Sequence, residues 1–169
     1  EIAQDFLKQG THVFVEKPMT STLNEGKQVV ELARQTKSIL QVGHLERFNN
    51  VVIAAKKQIT SPRFIEAYRI APYVARGADV DVILDIMIHD IDLAGYLANS
   101  PLKEVRANGS SVLTHTTDIA NARLEYENGC VANLTASRVG KKRERSLRLF
   151  QADSYLSLDL QNKVLNTHT

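Results

Sequence analysis

The chain has 169 residues, 43% of them hydrophobic and 24% charged, with a net charge of +2 and one cysteine. A chain of this kind can bury one sizeable core or two partial ones, and no apolar run nears the ~20 residues that cross a bilayer, so a transmembrane helix is excluded. Charge of both signs gives no field for nucleic acid, with Lys141–Arg145 read as a solvated turn, and a single cysteine excludes an intrachain disulfide or a multi-cysteine metal site and fits a reducing cytoplasm.

The first ten residues, "EIAQDFLKQG", read as a helix already in progress and closed by Gly10, without an initiator methionine, so the chain is expected to be a piece of a longer one in which no targeting peptide could show. A strand follows in "HVFVEK", then a helix from "TLNE", where Thr22 and Glu25 have capping-box spacing, then a second apolar strand in "SILQVGH". Strands alternating with helices predict parallel βαβ units, and residues 1–46 read as half of a doubly wound sheet. After "ERFNN" the pattern changes. A helix in "NVVIAAKKQI" is expected to stop at Pro62, followed by a strand in "RFIEAYRIA", a loop in "PYVARGADVD" and a helix from about Val82 to Ala98. Strands alone follow in "EVRANGSSVL", "DIANARLEY", "VANLTASRV", "SLRLFQ" and "SYLSLDL". Asn128-Gly129 predicts a two-residue type I′ turn, since both residues accept positive φ. Residues 47–169 thus read as a second domain: an open, mainly antiparallel mixed sheet backed by helices, truncated at its C-terminus.

The helix "DVILDIMIHDIDLAGYLAN" carries the densest chemistry. At about 100° per residue, Asp85, His89, Asp92 and Tyr96 fall within an arc of roughly 60°. Ile83, Ile86, Met87, Leu93 and Leu97 occupy the rest of the circumference, so the stripe faces protein or a ligand rather than bulk water. Asp90 lies off the stripe and reads as a surface residue. An aspartate one turn before a histidine can accept a hydrogen bond from one ring nitrogen and leave the other basic near neutral pH, which is what a general base requires. Two other readings fit the same residues: ion pairs that satisfy one another beneath a sheet, or part of a metal site using Asp85, His89 and Asp92.

At the end of the first strand, Glu16, Lys17 and Pro18 stand where open parallel sheets bind ligands. Lys17 can donate to a substrate hydroxyl and stabilise the oxyanion formed as its proton leaves, and Pro18 fixes the backbone that aims it. Glu16 can position the lysine, meet the ribose side of a cofactor, or form a strand-end salt bridge. His44 ends the next strand at the same edge, where it can line a site or serve the fold alone. Cys130 reads as a small buried residue.

Taken in order, "EKP", "QVGHLERFN" and "LDIMIHDIDL" resemble the Gfo/Idh/MocA family of NAD(P)-dependent oxidoreductases, and the resemblance covers nearly the whole chain. It implies a nicotinamide at the carboxyl edge of a Rossmann sheet, held by Glu16, Lys17, Pro18 and His44, and facing a second domain that also makes subunit contacts through its open sheet face. It implies that Lys17 is the motif lysine, His89 the proton acceptor, Asp85 the first acid of a DxxxH pair and Asp92 a substrate contact, with NAD or NADP as cofactor and no metal. "GHLERFN" and "DIANARLEYENGCVANLTASR" are most similar to the branch that oxidises the 3-hydroxyl of UDP-N-acetylglucosamine or its uronate, which makes Arg47, Asn49 and Arg138 further candidate contacts to a nucleotide sugar. Inositol dehydrogenases share the three motifs, and some relatives use the nicotinamide transiently to hydrolyse glycosides. A non-catalytic oligomerisation fragment is the remaining reading, and neither nucleic acid nor membrane is expected as a partner. The family's G-x-G-x-x-G fingerprint is absent from these residues and is expected upstream of Glu1.

Overall fold

In the computed structural model, which describes residues 2–74 and 80–169, the opening helix α1 (Ile2–Lys8) ends in a Schellman motif, with the Gly10 N–H donating to Leu7 O (2.9 Å) and the Thr11 N–H to Phe6 O (3.1 Å). The loop predicted over 72–81 lies partly outside the described residues, at 75–79. Strand β1 (Val13–Val15) leads into α2 (Leu23–Gln35), and β2 (Leu40–Val42) returns parallel to β1 with Val13 beside Leu40 and Val15 beside Val42. The capping box is present at the start of α2: Thr22 Oγ1 accepts from the Glu25 N–H, and a Glu25 carboxylate oxygen accepts from the Thr22 N–H. Two helix-start N–H groups are thereby satisfied. Leu7, Val29 and Ala33 form the small core under this βαβ unit.

The chain divides into two compact units, Glu1–His44 and Leu45–Thr169. The second opens with a 3₁₀ turn (Leu45–Phe48) and α3 (Asn50–Lys56), capped by Asn49, whose side-chain oxygen accepts from the Val51 N–H. Helix α3 stops six residues before Pro62. The Gln151 side-chain amide holds the chain beyond the helix, accepting from the Thr60 N–H (3.0 Å) and donating to Gln58 O (3.1 Å).

Next come β3 (Phe64–Ile70), a π-helical turn (Ile83–Met87) and α4 (Ile88–Ala98). Six strands follow: β4 (Leu102–Ser110), β5 (Ile119–Tyr126), β6 (Val131–Ser137), β7 (Glu144–Phe150), β8 (Tyr155–Asp159) and β9 (Val164–His168). With β3 they build one seven-stranded sheet in the order β4-β5-β6-β3-β7-β8-β9, and only the β3–β6 pairing is parallel. The open, mainly antiparallel mixed sheet expected from the sequence is therefore present.

Alternation along the strands sends Ile65, Ala67, Leu134, Leu147, Leu149, Leu156 and Leu158 to one face, where they pack with Val52, Met87, Leu93 and Leu97 from the helices. Each fully buried leucine contributes about 1.5–3 kcal/mol. The other face carries a row of rings in cross-strand register, Phe64, Phe150, Tyr155 and His168, with successive centroids 6.3, 5.5 and 4.3 Å apart.

Two local expectations are corrected. The β5–β6 connection has three residues, because the Tyr126 N–H donates to Cys130 O and the Gly129 N–H to Tyr126 O. Only Gly129 takes positive φ (+83°), as a three-residue hairpin loop requires, and the Asn128 side chain instead accepts from the Cys130 N–H and donates to Ala98 O. Strand β9 was not expected at all. It is a mostly exposed edge strand, launched by a turn in which the Asp159 carboxylate accepts from the N–H groups of Gln161 and Asn162. Among the described residues no helix is long and apolar enough to cross a membrane.

Candidate functional site

In the first unit the candidate residues follow two adjacent parallel strands at their carboxyl ends. Glu16 and Lys17 leave β1, joined to Pro18 by a cis peptide bond, and Gly43 and His44 leave β2. The Gly43 N–H donates to Val15 O (2.8 Å), and a Cβ built on Gly43 would lie 2.9 Å from Glu16 Oε2. A glycine there lets the Glu16 carboxylate lie against the end of β2. The sheet edge thus gathers a carboxylate, an amine and an imidazole where open parallel sheets bind ligands. That donor set fits the nicotinamide end of a dinucleotide. A pyrophosphate cradle of the G-x-G-x-x-G type does not occur in the sequence.

In the second unit the site is built on α4. Asp81 Oδ1 accepts from the N–H groups of Ile83 (2.9 Å) and Leu84 (3.0 Å), starting the turn that follows. The Ile88 N–H then reaches back five residues to Ile83 O, so this turn is wider than an α-helical one and contains Asp85. The uniform 100° step that put Asp85 on one stripe with His89 therefore fails across the junction. His89, Asp92 and Tyr96 all lie within α4 and keep a common arc of roughly 60°.

Arg47, from the 3₁₀ turn, donates from Nε to Asp92 Oδ2 (2.7 Å) and from Nη2 to Asp92 Oδ1, with its guanidinium 5.2 Å from the centre of the Tyr96 ring. The Asp92 bonds hold the Arg47 pKa above its ordinary value against the opposing effect of burial. Lys56 Nζ lies 4.8 Å from the same ring and donates to Tyr96 O (2.8 Å), while burial pulls its pKa down. Arg47 and Asp92, two of the expected substrate contacts, thus meet each other.

The other two expected contacts are engaged in the fold. Asn49 caps α3 and donates to Leu160 O (3.1 Å). Arg138 is buried, with Nε 3.2 Å from Asp118 Oδ1 and Nη2 donating to Thr117 O (2.7 Å) and to Val80 O. Asp118 also accepts from the N–H groups of Val112, Leu113 and Thr114 and from the Thr114 hydroxyl. Burial pushes the Asp118 carboxyl up, and these bonds together hold it well below the usual carboxylate range.

Asp90, expected at the surface, is only 2% exposed and sits against Arg69, itself 4% exposed. Arg69 Nε donates to both Asp90 oxygens (3.0 Å each) and Nη2 to Oδ1 (2.8 Å), while Nη1 lies 3.5 Å from Glu46 Oε1. Burial works to lower the Arg69 pKa, and the Asp90 bonds outweigh it and hold the guanidinium above its ordinary value. Arg69 and Glu46 escaped the sequence reading, although in "FIEAYRI" the arginine falls at an inward position with Ile65 and Ala67, and an inward cation requires a buried anion. Among the described residues no group of three His, Cys, Asp or Glu side chains is arranged to hold a metal ion.

Two family models match the chain: "Oxidoreductase family, NAD-binding Rossmann fold" over residues 1–44, and "GFO/IDH/MocA C-terminal domain" over residues 37–153. The chain belongs to the Gfo/Idh/MocA family. The βαβ unit lies within the residues matched by the Rossmann model, and α3, α4 and β3 to β7 lie within those matched by the C-terminal-domain model. Among relatives in the Gfo/Idh/MocA family, UDP-N-acetylglucosamine 3-dehydrogenase of Acidithiobacillus ferrooxidans is 36% identical over 99% of this chain and 54% of its own length. The solved structure of that enzyme, GnnA, aligns with a TM-score of 0.92, covering 99% of this chain and 56% of the other. The scyllo-inositol 2-dehydrogenase (NAD(+)) of Bacillus subtilis is 28% identical over 78% of this chain and 43% of its own length. The chain spans about half the length of the curated relatives it matches.

Proposed function

We propose that this chain is part of an NAD(P)-dependent dehydrogenase that oxidises the 3-hydroxyl of a UDP-N-acetylhexosamine. The observation that carries this reading is the likeness to the A. ferrooxidans enzyme, which runs over 99% of the chain and so takes in both groups of candidate residues. In this reading His89 accepts the proton of the hydroxyl to be oxidised, while Asp85, carried on the wider turn before α4, no longer has the helical spacing that gave it the tautomer-fixing role. Lys17 supplies a cationic donor at the carboxyl end of β1. Arg47 and Asp92 contact the sugar nucleotide, while Asn49 and Arg138 hold the frame around them. A bound nicotinamide supplies the hydride acceptor, and Glu16, Lys17, Pro18 and His44 would hold its ring end.

The B. subtilis relative favours a second reading, oxidation of a cyclitol hydroxyl by the same residues. Assay of the intact protein with NAD⁺ or NADP⁺ separates the two. Net reduction of cofactor with UDP-N-acetylglucosamine and none with scyllo-inositol is the expected result. Turnover of the inositol alone would replace the first reading with the second, and no net reduction with either substrate would remove both.

A further inference from the structure

We propose that Arg69 is a positioning residue: its one guanidinium holds both the residue that follows His89 and the residue that precedes Arg47, and so sets the orientation of both. The roles given to His89 and Arg47 rest on the dehydrogenase reading above, whereas the geometry does not. Starting at Arg69 on β3, three hydrogen bonds reach Asp90 on α4. Two residues along the helix, Asp92 accepts from Arg47. Arg47 is joined through the backbone to Glu46, whose Oε1 lies 3.5 Å from Arg69 Nη1 and closes the circuit. Every link is an ion pair or a stretch of backbone no longer than three residues. The 3₁₀ turn bearing Arg47 is therefore pinned to α4 at two points, Asp90 and Asp92, one and three residues after His89.

The surroundings match this role. Cross-strand register puts Arg145 of β7 beside Arg69, and its charge also acts on Asp90, so two cations face the two carboxylates of Asp90 and Glu46. Asp90 and Arg69 are nearly inaccessible, with side chains 3% and 5% exposed. A buried ion pair commonly contributes no more stability than an apolar pair of the same volume, so what Arg69 and Asp90 add over leucine and methionine is a direction. A planar fork bound to both oxygens of a carboxylate fixes orientation in a way that a single ammonium cannot.

The test uses two variants, Arg69→Lys and the double variant Arg69→Met with Asp90→Leu, which removes the pair without leaving an unpaired buried charge. In the intact protein, the Arg47 Nε–Hε signal and the His89 ring signals, assigned by their loss in Arg47→Lys and His89→Gln, report the two orientations by NMR. The double variant is expected to fold with native-like dispersion while both sets of signals move. Arg69→Lys is expected to leave both displaced as well. In the intact protein the double variant is expected to lose about 10- to 100-fold in kcat and to raise KM, the scale of loss when reacting groups are misplaced by about an ångström. Wild-type signals for both residues in the folded double variant, rescue by Arg69→Lys, or a change confined to KM would overturn the proposal. Should the wild-type protein oxidise no sugar, the dehydrogenase reading falls while the NMR result still decides the role of Arg69.

Discussion

The rim and the interior of the second unit solve the same problem, an arginine paired with a carboxylate on α4, in opposite ways. At the rim Arg47 meets Asp92 with side chains 42% and 8% exposed, whereas two residues away Arg69 meets Asp90 with side chains 5% and 3% exposed. Water reaches the Arg47 side of the rim pair but little of Asp92, so the pair is screened on one side only. The interior pair is taken out of water altogether. Its net contribution is small, yet removing one partner strands a charge where nothing can solvate it. The same two functional groups therefore stand partly open to water at the rim and closed off from it in the interior.

The contrast is broken most directly by deleting one cation at each place. Arg69→Met is expected to lower the folding free energy by about 3–5 kcal/mol in chemical denaturation, and adding Asp90→Leu should recover most of that loss. Arg47→Met is expected to lower it by no more than about 1 kcal/mol. Equal losses at the two positions, or no recovery in the double variant, would erase the distinction.

A smaller effect sharpens it, because Asp118 is an interior carboxylate held by backbone N–H groups as well as by an arginine. Its folded pKa is depressed, so its contribution to stability is fully present above the unfolded value of about 3.9 and is lost as pH falls toward the folded value. Asp118→Asn should therefore be less stable than the wild type at neutral pH, with a gap that narrows below about pH 4. Denaturant midpoints measured across that range check the sign, and a gap independent of pH would contradict it.

Much of this was legible in the residues. Thr22 and Glu25 mark a helix start because the capping box is local chemistry, and strand alternation marks the inward faces because the pleat has a period of two. The order of the three motifs pointed to the family that the models then matched. What could not be read depends on partners from elsewhere in the chain. Asp90 seemed exposed because a helical wheel contains one helix, and the cation that buries it comes from β3. The π-helical turn displaces Asp85 with no residue to announce it, since an extra residue in a turn is set by how the apolar side chains around it pack. Asn128-Gly129 was rightly a turn and wrongly a two-residue one, because Tyr126 rather than Glu127 pairs with Cys130 to close the ladder.

Isotope transfer in the intact protein decides whether His89 takes the proton as hydride leaves the neighbouring carbon. With the proposed nucleotide-sugar substrate deuterated at the carbon to be oxidised, the wild type should place the deuterium in the reduced cofactor. His89→Ala should slow that transfer by roughly 10²- to 10⁴-fold, the usual contribution of acid–base catalysis. Deuterium that never reaches the cofactor, or transfer by His89→Ala at the wild-type rate, would contradict it.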